Sequence, residues 1–208
     1  MRCLQEVLYN AQKDVIDYET VYNPSAMGII SQFEERCLVI GVLSTMQNED
    51  SVISLLESNW GPVSCRTESV PFSFTDYYDE EMGSRPVRFF LVFENFVSPD
   101  DLASIKIETN SIEEKFAVSK NRRINLDPGL LDLGSLILAS TKYGSHRIPL
   151  RDGIFAETTL IYHTHSFHTL PWTYADYGSP QFISLFNELR TEFKRQRNLI
   201  SRKESIQQ

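Results

Sequence analysis

An α+β fold is what the amino-acid sequence predicts, and three observations predict it. Short runs that read as strands recur between residues 36 and 127, separated by two stretches with helical spacing. An Asp152-Gly153 pair sits between two more strand-like runs, a combination that favours a type I′ hairpin. Phe182, Leu185, Phe186, Leu189 and Phe193 then share one side of an amphipathic C-terminal helix.

Residues 1–34 read as an N-terminal extension. "CLQEVLYNAQKDVIDYE" has the character of a helix, and Pro24 and Gly28 break the chain after it. Residues 35–208 read as a single domain. "RCLVIGVLS" is a buried strand by its unbroken apolar run. "NEDSVISLLESNWG" carries acids in its first turn, Val52, Leu55, Leu56 and Trp60 at helical spacing, and Gly61 as a stop. "VSCRTESV" is a strand. "RPVRFFLVFENF" is another, with Val87, Phe89, Leu91 and Phe93 on one face. Ser98, Pro99, Asp100 and Asp101 open the next helix as cap, first residue and dipole partners. "NRRINLD" closes the series. The order β-α-β-β-α-β is that of a ferredoxin-like split βαβ core. "LLDLGSLILAST" extends it as a buried helix, and "HRIPLRDGIFAETTLIYH" as a hairpin.

Composition limits the function. The net charge of −8 disfavours a nucleic-acid-coating role. No apolar run is long enough to span a bilayer, and the N-terminus has no secretory h-region. Cys3, Cys37 and Cys65 are scattered thiols that suit a reducing compartment, so the chain reads as cytoplasmic. Between Lys115 and Arg151, however, stand seven Lys or Arg against two acids. That is either a solvated face or a pocket for a small anion.

Five stretches carry candidate chemistry. His163, His165 and His168 could form a facial trio, but no Cys, Asp or Glu accompanies them between residues 158 and 175, so no metal is expected there. In "RRINLDPG", Arg123, Asn125 and Asp127 form a polar stripe opposite Ile124 and Leu126. Pro128-Gly129 suits the centre of a type II turn, with Asp127 either organising the turn or serving a ligand. In "FSFTDYYDEEMG", Asp76, Tyr77 and Tyr78 could line a ligand site, while Asp79 and Glu80 face water. A two-residue turn would pair Leu150 with Phe155, Ile148 with Glu157 and His146 with Thr159. This embeds Glu157 and His146 in an apolar face and puts Arg147 and Arg151 on the other. In "LPWTYADY", Trp172, Tyr174 and Tyr177 surround Asp176, as ring stackers or as anchors of a long loop. No P-loop, dinucleotide fingerprint or nucleophile elbow is present in the sequence.

"PFSFTDYYDEEMG", "NLDPGLL", "ASTKYGSHRIPLRDGIFAE" and "LPWTYADY", in that order, resemble an uncharacterised prokaryotic family catalogued as domain of unknown function 4416. The likeness covers roughly residues 36 to 192. It implies a shared fold and polar surface. Some members carry a GTP-binding label, which no classical motif here supports. Leu130 and Ala175 stand where the family pattern has an aromatic residue and a proline.

Two functions are expected on these grounds. One is a site for a small anionic molecule, a nucleotide or phosphorylated metabolite, with metal-assisted turnover as an extension. There Asp76, Asp127 and Glu157 would be the catalytic acids, with Mg²⁺ the cofactor such acids could hold. Tyr78, Asn125, Lys142, Arg147, Trp172 and Asp176 would bind the ligand, Lys142 and Arg147 holding the anion. The other is a non-catalytic regulatory or interaction module, forming a homodimer through a sheet or the C-terminal helix.

Overall fold

The computed structural model describes residues 30–74, 82, 86–119 and 121–207, with side chains up to residue 199. The helix expected over residues 3–19 and the expected site residues Asp76 and Tyr78 lie outside the described residues.

Among the described residues, nine strands form one antiparallel sheet. They are β1 (Arg36–Ser44), β2 (Val63–Arg66), β3 (Val70–Pro71), β4 (Val87–Val97), β5 (Ile124–Leu131), β6 (Ser135–Ser140), β7 (Ile148–Pro149), β8 (Phe155–His163) and β9 (Ser166–Thr169). The helices are α1 (Asp50–Trp60), α2 (Leu102–Lys115) and α3 (Pro180–Gln207). The order across the sheet is β2-β4-β1-β5-β6-β8-β7, with β3 on β4 and β9 on β8.

Both faces are covered, which explains why β1 is apolar from Cys37 to Leu43. Leu38, Ile40 and Val42 pack with Val52 and Leu56 of α1 and with Leu102, Ile105 and Ile112 of α2. On the opposite face, Val39 joins Phe90 of β4 and Phe182, Phe186 and Phe193 of α3. Strand alternation sends successive side chains to opposite faces, so one strand serves two cores. Phe90 anchors the second core, with Tyr177, Phe182 and Phe186 all edge-on to its ring. None of the described helices is long and apolar enough to cross a membrane.

The stretch expected as a buried helix, "LLDLGSLILAST", is instead the turn and second strand of a β5–β6 hairpin. Asp132 Oδ1 accepts hydrogen bonds from the backbone N–H groups of Gly134 and Ser135, and Asp132 N–H donates to Ser135 O. This local turn chemistry decides against a helix, which a short apolar run cannot do by periodicity. The Asp127-Pro128-Gly129 turn is not formed either, because all three residues lie within β5, opposite Gly41, Ile40 and Val39 of β1.

At the Asp152-Gly153 turn both residues have positive φ, 55° and 77°, as a type I′ turn requires. Beyond it the pairing slips by one residue from the expected register, so that Pro149 faces Phe155 and Ile148 faces Ala156. Leu150 N–H reaches Ile154 O, and the extra residue is absorbed beside the turn. Glu157 therefore lies past the end of β7 and faces Leu138 of β6.

Candidate functional site

β5 and β6 pair only from Gly129↔Leu138 to Leu131↔Leu136, whereas β5 pairs with β1 along its whole length. Residues 124–128 thus present one unzipped backbone edge. Proline explains where the zipper stops. Backbone groups alternate sides along a strand, and the N–H and C=O of Leu126 point away from β1, since α2 side chains take both. Pro128 has the same parity and has no N–H to offer β6. Gly129, next along, lets β6 come close: a Cβ there would stand 2.5 Å from Leu138 Cδ2 and 3.1 Å from Ile137 O.

The open edge is capped by side chains. Lys106 Nζ donates to Leu126 O at 2.7 Å, and Glu113 Oε1 accepts from Leu126 N–H at 2.7 Å. Lys106 and Glu113 sit among the apolar side chains with which α2 faces the sheet, and both are buried. From them an alternating chain of charges and one amide passes around the edge of β5. Glu113 accepts from Arg122 at 3.0 Å, and Arg122 donates to Asn125 Oδ1 at 2.8 Å. Asn125 donates to Asp127 Oδ2 at 2.8 Å, which also takes Arg88 Nη1 at 3.2 Å. Arg88 Nη2 then meets Asp176 Oδ2 at 2.9 Å. The chain of six charges is neutral, which makes burial tolerable.

A cavity of about 710 Å³ lies where the two strands part. Its walls include Arg88, Lys106, Glu113, Arg122, Asn125, Asp127, Glu157 and Asp176, the end of β6 from Leu138 to Lys142, and the rings of Phe72, Phe74, Tyr174 and Tyr177. Gly41 is a structural requirement here, because a Cβ at that position would collide with the Tyr177 hydroxyl and approach Arg88 Nη1 to 3.2 Å.

The environments pull the two aspartates apart. Burial opposes ionisation of Asp127, but the Arg88 and Lys106 charges and two hydrogen bonds outweigh it and hold the carboxyl below its usual value. Burial pushes Asp176 up, and Arg88 offsets this only in part. Glu113 is raised for the same reason despite Lys106 and Arg122. Burial also opposes the charge on Arg88, yet Tyr177, Asp127 and Asp176 together raise its pKa.

In the cavity wall, Glu157 is 2% exposed and its Oε2 accepts from Arg147 Nε at 2.7 Å and meets His146 Nε2 at 3.0 Å. Arg147 also donates to Lys142 O and to the Tyr174 hydroxyl, each at 2.8 Å. It ties β8, the loop after β6 and the 170–179 loop together. Its expected place on the face away from Glu157 is corrected, because the register slip turns it inward. Trp172 stacks on His146 and donates Nε1 to Thr158 O. Of the residues expected from sequence, then, Asn125, Asp127, Lys142, Glu157 and Asp176 line the cavity, and Arg147 and Trp172 buttress it.

Arg88, Lys106, Glu113 and Arg122 escaped sequence reasoning. The signals were present: a lone Arg inside "VRFFLVF", and a Lys and Glu seven apart on the apolar stripe of α2.

His163 and His168 stack with ring centroids 3.7 Å apart, and His165 sits in the intervening turn with φ 65°. His168 Nε2 contacts His163 O, and His163 Nδ1 contacts Thr164 Oγ1. Among the described residues no three of His, Cys, Asp and Glu are grouped to hold a metal ion. Asp127 and Asp176 each have an oxygen on Arg88.

The family model described as "Domain of unknown function (DUF4416)" matches residues 34–193. The chain belongs to this family. The DUF4416 match spans β1 to Phe193 of α3, so it takes in the whole cavity and the last aromatic residue of the second core. No curated protein and no solved structure matches the chain.

Proposed function

We propose that this DUF4416 protein binds a small anionic ligand, a nucleotide or phosphorylated metabolite, in the cavity between β5 and β6. The observation that carries the reading is the cavity itself. The sheet gives up part of its ladder, and the charged groups that replace it face a space of about 710 Å³, within the range that small-molecule sites occupy. Mixed rings and charges on its walls suit a ligand with a polar head and a carbon body. A thermal-shift screen against nucleotides, sugar phosphates and divalent ions tests it. A ligand at one hundred times its Kd stabilises by about 2.7 kcal/mol, and each kcal/mol raises Tm by about 2–4 °C in a chain of this size. If no anionic compound shifts Tm, the reading fails.

A second reading, acid–base turnover of the bound ligand, is favoured by one observation: Asp127 and Asp176 share Arg88 while their ionisation is pushed in opposite directions. Substrate conversion that disappears in Asp176→Asn while ligand binding persists would support it. We also infer a ferredoxin-like core. What supports it is the order β2-β4-β1-β5, with α1 and α2 each bridging two strands that are not neighbours.

A further inference from the structure

The proposed ligand must find a cation for its acid group, and the pairing of Arg88, buried in the cavity wall, is incomplete. A guanidinium can hold an acid with two donors along one edge. Elsewhere in this chain the edge made by Nε and Nη2 is filled: Arg195 donates Nε to Glu192 Oε2 at 2.8 Å and Nη2 to Glu192 Oε1 at 2.6 Å. On Arg88 the same edge is half used. Nη2 meets Asp176 Oδ2 at 2.9 Å, yet Oδ2 accepts no hydrogen bond and Arg88 Nε has no hydrogen-bond partner. Both atoms are buried. A buried donor without an acceptor is costly and calls for a reason.

The two acids on Arg88 are not held alike. Asp127 takes Nη1 at 3.2 Å, off the Nε–Nη2 edge. It is fixed within β5 and accepts a second hydrogen bond from Asn125. Asp176 stands in the loop between β9 and α3, and burial pushes its carboxyl up. Asp176 is therefore the acid that Arg88 gives up more readily. Arg88 and Asp176 both line the cavity, so an acid that reaches Arg88 from there meets Asp176 on the edge it needs.

We propose that the Nε–Nη2 edge of Arg88 is the seat of the ligand's acid group, and that Asp176 occupies this seat until the ligand displaces it. This rests on the anion-binding reading above and narrows it to an acid that offers two oxygens to one guanidinium edge, a chemistry that phosphates and carboxylates share. Asp176 then sets the affinity. A resident acid that must leave first lowers the apparent affinity by the fraction of molecules in which the seat is free.

Calorimetric titration of the full chain with glucose 6-phosphate, glucuronate and glucose tests it, since the first two carry a phosphate and a carboxylate on one sugar skeleton and the third carries no charge. Asp176→Asn keeps the shape and removes the competing charge. It should bind the acids at least about tenfold more tightly than the wild type, the size of one hydrogen bond to a charged group. Asp127→Asn removes an equal charge from the same guanidinium but not from this edge, and should not tighten them. Arg88→Lys keeps the charge and lacks the two-donor edge, so it should weaken them at least about tenfold; it reads the seat independently if Asp176→Asn does not fold. Unchanged or weaker binding in Asp176→Asn overturns the displacement while leaving the anion reading intact. Equal tightening in Asp176→Asn and Asp127→Asn overturns it too, as an effect of charge alone. Wild-type affinity in Arg88→Lys overturns the seat. If neither the wild type nor Asp176→Asn binds either acid, or if glucose binds as tightly as the acids, this inference and the anion reading fail together. Tighter binding of glucose 6-phosphate than of glucuronate marks a phosphate as the source, and the reverse a carboxylate; both uphold the class.

Discussion

The β1–β4 pair and the β5–β6 pair are antiparallel neighbours in one sheet, yet they are held in different ways. β1 meets β4 from Arg36↔Val97 to Ser44↔Val87 with one bulge, and apolar side chains cover both of its faces. β5 meets β6 at three positions only, and beyond Pro128 the backbone partners are side chains of α2. The first pair is held by ladder and burial, and of its side chains only Arg88 is named among the cavity walls. The second exchanges ladder bonds for charged side chains, which pair with one another and with the Leu126 backbone beside the cavity. The cavity lies in this sheet where regular pairing stops.

The sharpest break of the comparison is a pair of substitutions on adjacent residues of β4. Phe89→Ala empties a position buried in the α1/α2 core and should cost about 3–5 kcal/mol. Arg88→Met leaves Asp127 and Asp176 uncompensated and should cost a similar amount, about 3–5 kcal/mol. The two losses differ in how they are repaired. Adding Asp176→Asn to Arg88→Met should recover part of the lost Tm, and adding it to Phe89→Ala should recover none. Wild-type Tm in Arg88→Met would show that the charge chain does not hold the gap.

Next in size is Gly129→Ala, which forces β6 away from β5 where they still touch. Overpacking of this kind costs about 2 kcal/mol. Urea unfolding should show the lower midpoint, whereas a substitution that stabilises would mean that the strands can part further at no cost.

Asp127→Asn should cost about 1.5 kcal/mol at neutral pH through loss of a charged partner for Arg88. Its folded pKa is depressed, so its contribution is present above the unfolded value near 4 and is lost as pH falls through the folded one. The gap between wild type and Asp127→Asn in urea midpoints should accordingly close below about pH 4. A gap that is constant down to pH 3 would contradict the ion pair.

The smallest effect is expected far from the gap. His163→Ala should change stability by less than about 0.5 kcal/mol, as surface substitutions do, and untagged protein should contain substoichiometric zinc. A full equivalent of zinc lost in His163→Ala would sink this expectation.

Several features of the fold were legible because they are local. β1 announces itself by an apolar run, α1 and α2 by spacing, the hairpin turn by Asp152-Gly153. β6 was missed because "SLILAS" is too short for its period to separate helix from strand, and the deciding group is one oxygen of Asp132 in the preceding turn. Pro128-Gly129 reads as a turn in isolation, since nothing in the dipeptide reveals that β1 continues beside it. Around the cavity, Asn125, Asp127, Glu157 and Asp176 stood out as polar groups beside apolar or aromatic ones, and Lys142 as part of the basic stretch from Lys115 to Arg151. Arg88 did not, because its partners lie 39 and 88 positions away in sequence.

By itself the sequence determined which segments are strands or helices wherever period and caps agree, and which polar residues would be costly to bury unpaired. Those properties depend on neighbours within a few residues. Only the tertiary structure decided that β5 lies between β1 and β6, that Pro128 ends one ladder and not the other, and that Arg88 stands between Asp127 and Asp176. Ion pairing and strand register are contacts between distant segments. Their free energy depends on distance and burial, which no local pattern encodes.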